Sequence, residues 1–292
     1  MLHSRWLGTL IHLRIPFSFF LLPIWLFAAW DTLAPDTFRL WLSFFIIHFL
    51  LYPASHAFNT WYDRDEKSIG GIKNPPPVTQ SLFWTAWALD AAVLVTSWFV
   101  SPWFFAAMLL YTLASKAYSW KVTRLKRRPW AGWLGVGVVQ GALTYLAVVQ
   151  TVGSMRLWSD PLLWLGALTA ALFLMGVYPL TQIYQHEEDA AHGDLTVSRR
   201  VGIRGTFVLS GAFLFLAVLS FVFLFLGHGG WPLVFLFLGL EAPTVVYFLW
   251  WAWTCWGQPS RADFGRTMGM NLMASGLMVF FFVFESFAVG RN

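Results

Sequence analysis

The chain has 292 residues, 58% of them hydrophobic and only 11% charged, with 19 Trp and 29 Phe. A soluble globular chain carries about 25% charged residues, so this one cannot cover a water-facing surface and reads as a multi-span membrane protein. The single cysteine, Cys255, excludes an internal disulfide framework, and the net charge of +5 is too modest to argue for nucleic acid.

A membrane-spanning helix needs about 20 mostly apolar residues. In chain order, such stretches fall at 15–31, 38–60, 80–99, 101–119, 131–151, 161–185, 205–227, 231–256 and 266–289. The expected fold is all-α, a polytopic bundle of nine transmembrane helices forming one domain over residues 1–292. No small-x-small cleavage site follows the basic N-terminal segment, so the first helix is expected to be retained. Pro23, Pro53, Pro179 and Pro243 lie inside or near the ends of spans, where neighbouring helices can re-satisfy a freed carbonyl. Cys255, within "YFLWWAWTCW", reads as a packing residue.

Sixteen of the 19 Lys and Arg fall in the N-terminal segment and loops 2–3, 4–5, 6–7 and 8–9; only Arg39, Arg156 and Arg291 fall on the other side. The positive-inside rule then places the N-terminus in the cytoplasm and the C-terminus outside. Eight of the 14 acids share the cytoplasmic side: Asp63, Asp65, Glu66, Glu187, Glu188, Asp189, Asp194 and Asp263. That rule asks for cations there and gives no reason for acids.

Two acidic clusters stand at helix ends. At the end of the second span, Asn59 and Asp63 are four residues apart and share a helix face, with Glu66 three further on if the helix continues. At the end of the sixth, Gln185 and Asp189 repeat the spacing, with Glu188 alongside and an offset of 126 residues from the first pair. An amide-x-x-x-Asp recurring on one side of the membrane reads as a weak internal repeat. Carboxylates with an amide or two suit Mg²⁺, which takes one or two carboxylates, several waters and substrate phosphates. "SWKVTRLKRRP" on the same side offers Lys121, Arg124 and Lys126 to phosphates. Either acidic end alone reads equally well as a solvated cap paired with Arg64 and Lys67; the two together describe a site for a lipid diphosphate.

These residues resemble the UbiA superfamily of intramembrane prenyltransferases. "NTWYDRDEK" is similar to the family's first motif at the end of helix 2, and "QHEEDAAHGDLT" to the second at the end of helix 6. "KNPP" and "YSWKVTRLKRRP" resemble the segments that accompany them. The chain departs from the pattern at Thr60, Lys67 and Gln185, where the family usually has Asp, and so carries fewer carboxylates. The resemblance implies nine helices around a central cavity and Mg²⁺-dependent transfer of a prenyl group from a polyprenyl diphosphate to a lipophilic acceptor, aromatic or quinone-precursor in type. It implies metal ligation by Asn59, Asp63, Glu66, Gln185 and Asp189, with Asp65 and Glu188 as further candidate ligands. Arg64, Lys73, Lys121, Arg124 and Lys126 would bind diphosphate.

Other candidates come from position. His56 lies near the face of Asn59, Tyr62 and Tyr118 flank the motifs and offer aromatic faces to a carbocation, and Asp90 is an acid within a span. Each has a plain alternative as a packing residue or, for the aromatics, part of the interface belt. Two rival functions stay open. A secondary transporter would use the broken helices and in-membrane acids, and should hold its charged site near the bilayer midplane. A non-catalytic isoprenoid-binding relative would lack the missing carboxylates. With no transit-like segment, a bacterial plasma membrane is the expected location, with the site facing the cytoplasm.

Overall fold

A computed structural model describes residues 2–288. Val289 at the end of the ninth expected span, Arg291 and the side chain of Arg5 lie outside the described residues. The described chain is helical, its only strand-type pairing being isolated bridges such as Leu33 to Ser154. The helices are α1 (Leu2–His12), α2 (15–30), α3 (Thr37–Asp63), α4 (Gln80–Ser97), α5 (Pro102–Ser119), α6 (Pro129–Val149), α7 (Pro161–Gln182), α8 (His186–Ala191), α9 (Val197–His228), α10 (Gly230–Gly257) and α11 (Phe264–Ala288).

Seven segments are long and apolar enough to cross a membrane: 6–30, which joins α1 to α2, and α3, α6, α7, α9, α10 and α11. The protein is therefore a multi-pass integral membrane protein. Spans were also expected over 80–99 and 101–119. The helices found there, α4 and α5, have 18 residues each and carry Asp90 and Lys116, and they are not among the seven.

Local chemistry sets the breaks. Asp36 and Asp160 cap α3 and α7 by accepting the Arg39 and Leu162 N–H groups. A π-helical turn at Ile46–Leu51 leads into Pro53 and widens the helix where proline lacks an N–H. A second π-helical stretch, Val136–Leu143, runs through α6. There α6 presses on α7 closely enough that a Cβ on Gly141 would lie 2.6 Å from the Ala170 carbonyl oxygen. In α9 the expected span began at 205. The helix starts eight residues earlier because Gly202, at φ 73, kinks the chain without ending it.

Helices α2, α3, α5, α6, α7, α9, α10 and α11 touch in succession, and α11 returns to α2, closing a ring with α4 outside α3 and α5. The main core runs through the middle of this ring, from Phe27 and Tyr145 to Phe221, Phe225 and Phe281. Cys255 packs in a smaller core with Trp251 and Phe207. At the end of the bundle away from the acidic motifs, Asp31 holds Arg156 at 2.7 Å and His228 at 3.0 Å and accepts from the Tyr145 hydroxyl.

Candidate active site

Helix α3 stops at Asp63 because Arg64 takes the left-handed conformation (φ 53) and turns the chain away. In its last turn, Asn59 donates to Asp63 at 2.8 Å and to the Ser119 hydroxyl at 3.1 Å, tying α3 to the end of α5. The loop after α5 turns at Arg124 (φ 30) and points Arg124 and Lys126 inward before Pro129 starts α6. The chain beyond α7 forms α8 and turns at Gly193 (φ 71), delivering Asp194 to the same place.

Four buried charges meet there, with the exposed Arg127 guanidinium 3.3 Å from Asp194 beside them. Lys126 lies 2.6 Å from Asp63 and 2.9 Å from Asp194. Arg124 makes a two-pronged bond to Asp194, 2.7 Å on each arm, and lies 3.3 Å from Asp63. The Asp194 side chain is 0% exposed, and its backbone carbonyl also accepts from Arg199. Burial raises the pKa of Asp194, but the Arg124 hydrogen bonds and the Lys126 charge outweigh it and hold the carboxyl below the ordinary value.

Below these charges lies a cavity of about 270 Å³. Asn59, Asp63, Asp65, Gln185, Asp189 and Lys126 line its polar end, and Phe173, Leu174, Val136 and Val139 line its apolar depth. The Asp189 N–H bonds the Gln185 carbonyl at 2.9 Å, so both amide-x-x-x-Asp pairs are helical turns facing one space. Burial, with the neighbouring Asp63 charge, pushes Asp65 up to about 7. Burial likewise pushes Asp189 up to about 6, although Lys126 and the Thr196 hydroxyl pull it down.

Among the described residues no three His, Cys, Asp or Glu side chains converge as a closed metal cage. Mg²⁺ does not need one, since it binds through one or two carboxylates plus waters and phosphates. Asp65 and Asp189, half-buried and pushed toward neutrality chiefly by desolvation, are carboxylates of the type that suits a divalent cation.

His56 and Tyr118 also line the cavity, and the Tyr118 hydroxyl bonds that of Tyr178. Other expected residues lie outside it. Because the chain turns at Arg64, Glu66 is exposed, and its N–H, with that of Lys67, donates to Glu188 at 2.9 and 2.7 Å. Glu188 therefore ties α8 to the loop after α3 and does not line the cavity, while Lys67 pairs with Glu187 at 2.6 Å. Arg64 covers the Trp61 ring at 4.6 Å, and Lys73 and Lys121 are exposed. Tyr62 packs on Phe58. Asp90 is paired with Lys116 at 2.5 Å, away from the cavity. Sequence reasoning counted Asp194 among the cytoplasmic acids and within the second motif without giving it a role, and placed Arg14 only among the flanking cations; the spacing of neither reveals its contacts.

The fold and this site define a polytopic helical membrane protein with a charged mouth over an apolar cavity. The model of the UbiA prenyltransferase family matches residues 20–278, and the chain belongs to that family, whose members are prenyltransferases. A UbiA homologue from Archaeoglobus fulgidus bound to DMAPP and Mg²⁺ has the same fold, with a TM-score of 0.69 and 16% identity over 94% of this chain and 98% of that one. The GPP- and Mg²⁺-bound structure of a UbiA homologue from Archaeoglobus fulgidus gives 0.68 and 17% over the same shares. A digeranylgeranylglyceryl phosphate synthase gives 0.60 and 16%, over 96% of this chain and 98% of that one. Among curated protein sequences none matches the chain.

Proposed function

We propose that the protein is a Mg²⁺-dependent intramembrane prenyltransferase that moves a prenyl group from a prenyl diphosphate to a lipophilic acceptor. The observation that carries this reading is the convergence of Asp63, Asp65 and Asp189 with Lys126 at the mouth of an apolar cavity. The structures of homologues with DMAPP or GPP and Mg²⁺ support the donor class. The proposed arrangement is one domain of nine spans, with α4 and α5 as the two beyond the apolar seven. The bias of Lys and Arg favours a cytoplasmic N-terminus and active site, and a bacterial plasma membrane is the proposed location.

Asp63, Asp65 and Asp189, with the Asn59 and Gln185 amides, would hold the metal, which when bound supplies positive charge to the diphosphate oxygens. Lys126 presents its ammonium to the same oxygens, and Arg124 holds Asp194 so that Lys126 stays at the mouth. The bond between the prenyl C1 and the diphosphate oxygen breaks, and its electron pair leaves with the diphosphate. Aromatic faces at Tyr118 and Tyr178 border the space where the allylic cation would form. The acceptor nucleophile then bonds C1 and loses a proton. The apolar depth receives the tail and excludes water that would otherwise capture the cation.

The test is diphosphate release in nanodiscs from prenyl diphosphates of several lengths, with a panel of acceptors. Release should need Mg²⁺, disappear on chelation, and fall by orders of magnitude in Asp63→Ala and Asp189→Ala. A folded protein that releases none from any donor and acceptor pair would sink the reading. One observation favours a non-catalytic isoprenoid binder as the second reading: Asp63 is already engaged by Lys126 and Arg124. That protein would bind a prenyl diphosphate without releasing diphosphate. A transporter fits less well, because these acids sit at helix ends and not in mid-span.

A further inference from the structure

Prenyl transfer leaves one proton without a destination: the acceptor loses it, and no residue of the site described above receives it. The base has to reach the acceptor, hold a free electron pair and be independent of the metal. Among the described residues that line the cavity, Asp63, Asp65 and Asp189 are committed to the metal, Lys126 and Arg14 are cations, and the Tyr118 and Tyr178 hydroxyls bond each other. The Ser, Thr, Asn and Gln side chains there are too weakly basic. His56 is the one imidazole. It precedes Asn59 by three residues and Asp63 by seven, so it shares their face of α3 and lies two turns, about 10 Å, below the charged mouth. That is the level of the reacting carbon when the diphosphate lies at the mouth.

The surroundings of His56 suit a base. The ring is half-buried and packs edge-on against Phe17, with centroids 5.6 Å apart. Its Nδ1 is buried, and the backbone acceptor beside the ring is the Leu13 carbonyl. A neutral ring so placed carries its hydrogen on Nδ1 and its electron pair on Nε2. Arg14, at the break between α1 and α2, donates to the His56 carbonyl at 3.2 Å and brings a guanidinium beside the ring. That charge and the poor hydration keep the imidazole unprotonated at rest.

We propose that His56 is the general base of the transfer and that its Nε2 takes the proton the acceptor loses. This rests on the prenyltransferase reading above. The acceptor's electron pair forms the bond to C1 as the electron pair of the C1–oxygen bond leaves with the diphosphate. The adduct carries a positive charge at the attacked centre, and its proton moves to Nε2. A weak base is enough for this step, because a cationic adduct gives up its proton readily. The imidazolium then passes the proton to the departing diphosphate, and the nearby Arg14 charge makes that return favourable. The ring is neutral again for the next donor.

The experiment uses the full-length protein in nanodiscs, native and as His56→Gln and His56→Ala, with DMAPP or GPP and Mg²⁺. The acceptors are a hydroxybenzoic acid, a hydroxynaphthoic acid and a glyceryl ether phosphate, and prenylated product is read separately from diphosphate. Product formation should fall about 100-fold or more in both variants. Equilibrium affinity for DMAPP with Mg²⁺ should stay within about twofold of native, since a base that meets the acceptor adds nothing to donor binding. Added imidazole should restore product in His56→Ala, and pyrrole, which has the same shape without the basic nitrogen, should not. If His56→Ala does not fold, His56→Gln carries the test through its loss of product at unchanged DMAPP affinity. Product at the native rate in a folded variant overturns the proposal. So does a parallel loss of DMAPP affinity, or imidazole that restores no more than pyrrole does; each makes His56 a packing residue. Native protein that forms no product from any donor and acceptor pair counts against prenyl transfer itself, and the base falls with it. Native product formation that the variants retain counts against His56 alone.

Discussion

Asp63 and Asp194 share the same two cations, yet their loss should have opposite consequences. Asp63 faces the cavity, and its removal leaves Arg124 and Lys126 still bound to Asp194. Asp194 is the better buried partner, and without it two buried cations depend on Asp63 alone. Removing one partner from a buried charge network costs about 3–5 kcal/mol. Asp194→Asn is therefore expected to lower the unfolding midpoint strongly, whereas Asp63→Asn should abolish diphosphate release with a smaller stability change. Thermal unfolding in one detergent would check both. The pH dependence has a definite sign. The folded pKa of Asp194 lies below its unfolded value, so its contribution is complete above about pH 5 and drains away as pH falls below about 4. Asp194→Asn should lose that part of the acid sensitivity.

The same residues show what the sequence made legible. Asp63, Asp65 and Asp189 could be picked out because acids on the cation-rich side have no topological excuse, and Lys126 only through those acids, since topology alone asks for cations there. Glu66 could not be placed, because its spacing from Asp63 assumes a helix that Arg64 ends. Arg14 was hidden for a different reason: an arginine before a first span is what membrane topology alone requires. Its buried position depends on the break after α1, which apolar run lengths do not record.

Among the elements, α4 and α5 stand outside the apolar seven, and each carries one half of a buried ion pair. The Asp90–Lys116 pair joins them, and the Lys116 ammonium also lies 4.1 Å from the centre of the Phe58 ring on α3. Two charges cost less together than either alone in this setting. Asp90→Asn and Lys116→Met should each destabilise the protein by about 3–5 kcal/mol. The double variant Asp90→Leu with Lys116→Met should recover most of the loss and keep diphosphate release, since neither residue lines the cavity. Persistent inactivity in a stable double variant would restore Asp90 to the chemistry. Helix positions themselves were well marked by apolar runs, except where a feature shorter than a run intervened. The eleven-residue α1 was one such case, and the Gly202 kink, which joins the start of α9 to its apolar part, was the other.

Across the whole molecule, the loop after α3 and helix α8 meet beside the mouth of the cavity. Two contacts of unlike strength join them. Lys67–Glu187 is an exposed ion pair, a type worth little in water. Glu188 instead accepts two backbone N–H groups whose positions are fixed by the turn after Asp63. Glu187→Ala should change diphosphate release by less than about twofold, and Glu188→Ala by about tenfold. Protease nicking of the 64–73 segment should rise only in the second variant. Equal effects would mean that the two contacts act as one.

The charge square at the mouth also bears on how the chain is made. A ribosome delivers Asp63 first, Arg124 and Lys126 some sixty residues later, and Asp194 a further 70 residues beyond Arg124. Until about two thirds of the chain has emerged, Arg124 and Lys126 have only Asp63 as a direct ion-pair partner, and the earlier helices are expected to wait in the membrane with their polar ends unfinished. The arrival of Asp194 is expected to let that loop turn inward. A nascent chain stalled just before residue 194 should leave Lys126 open to an amine-reactive label, and one stalled after α9 has cleared the ribosome should protect it.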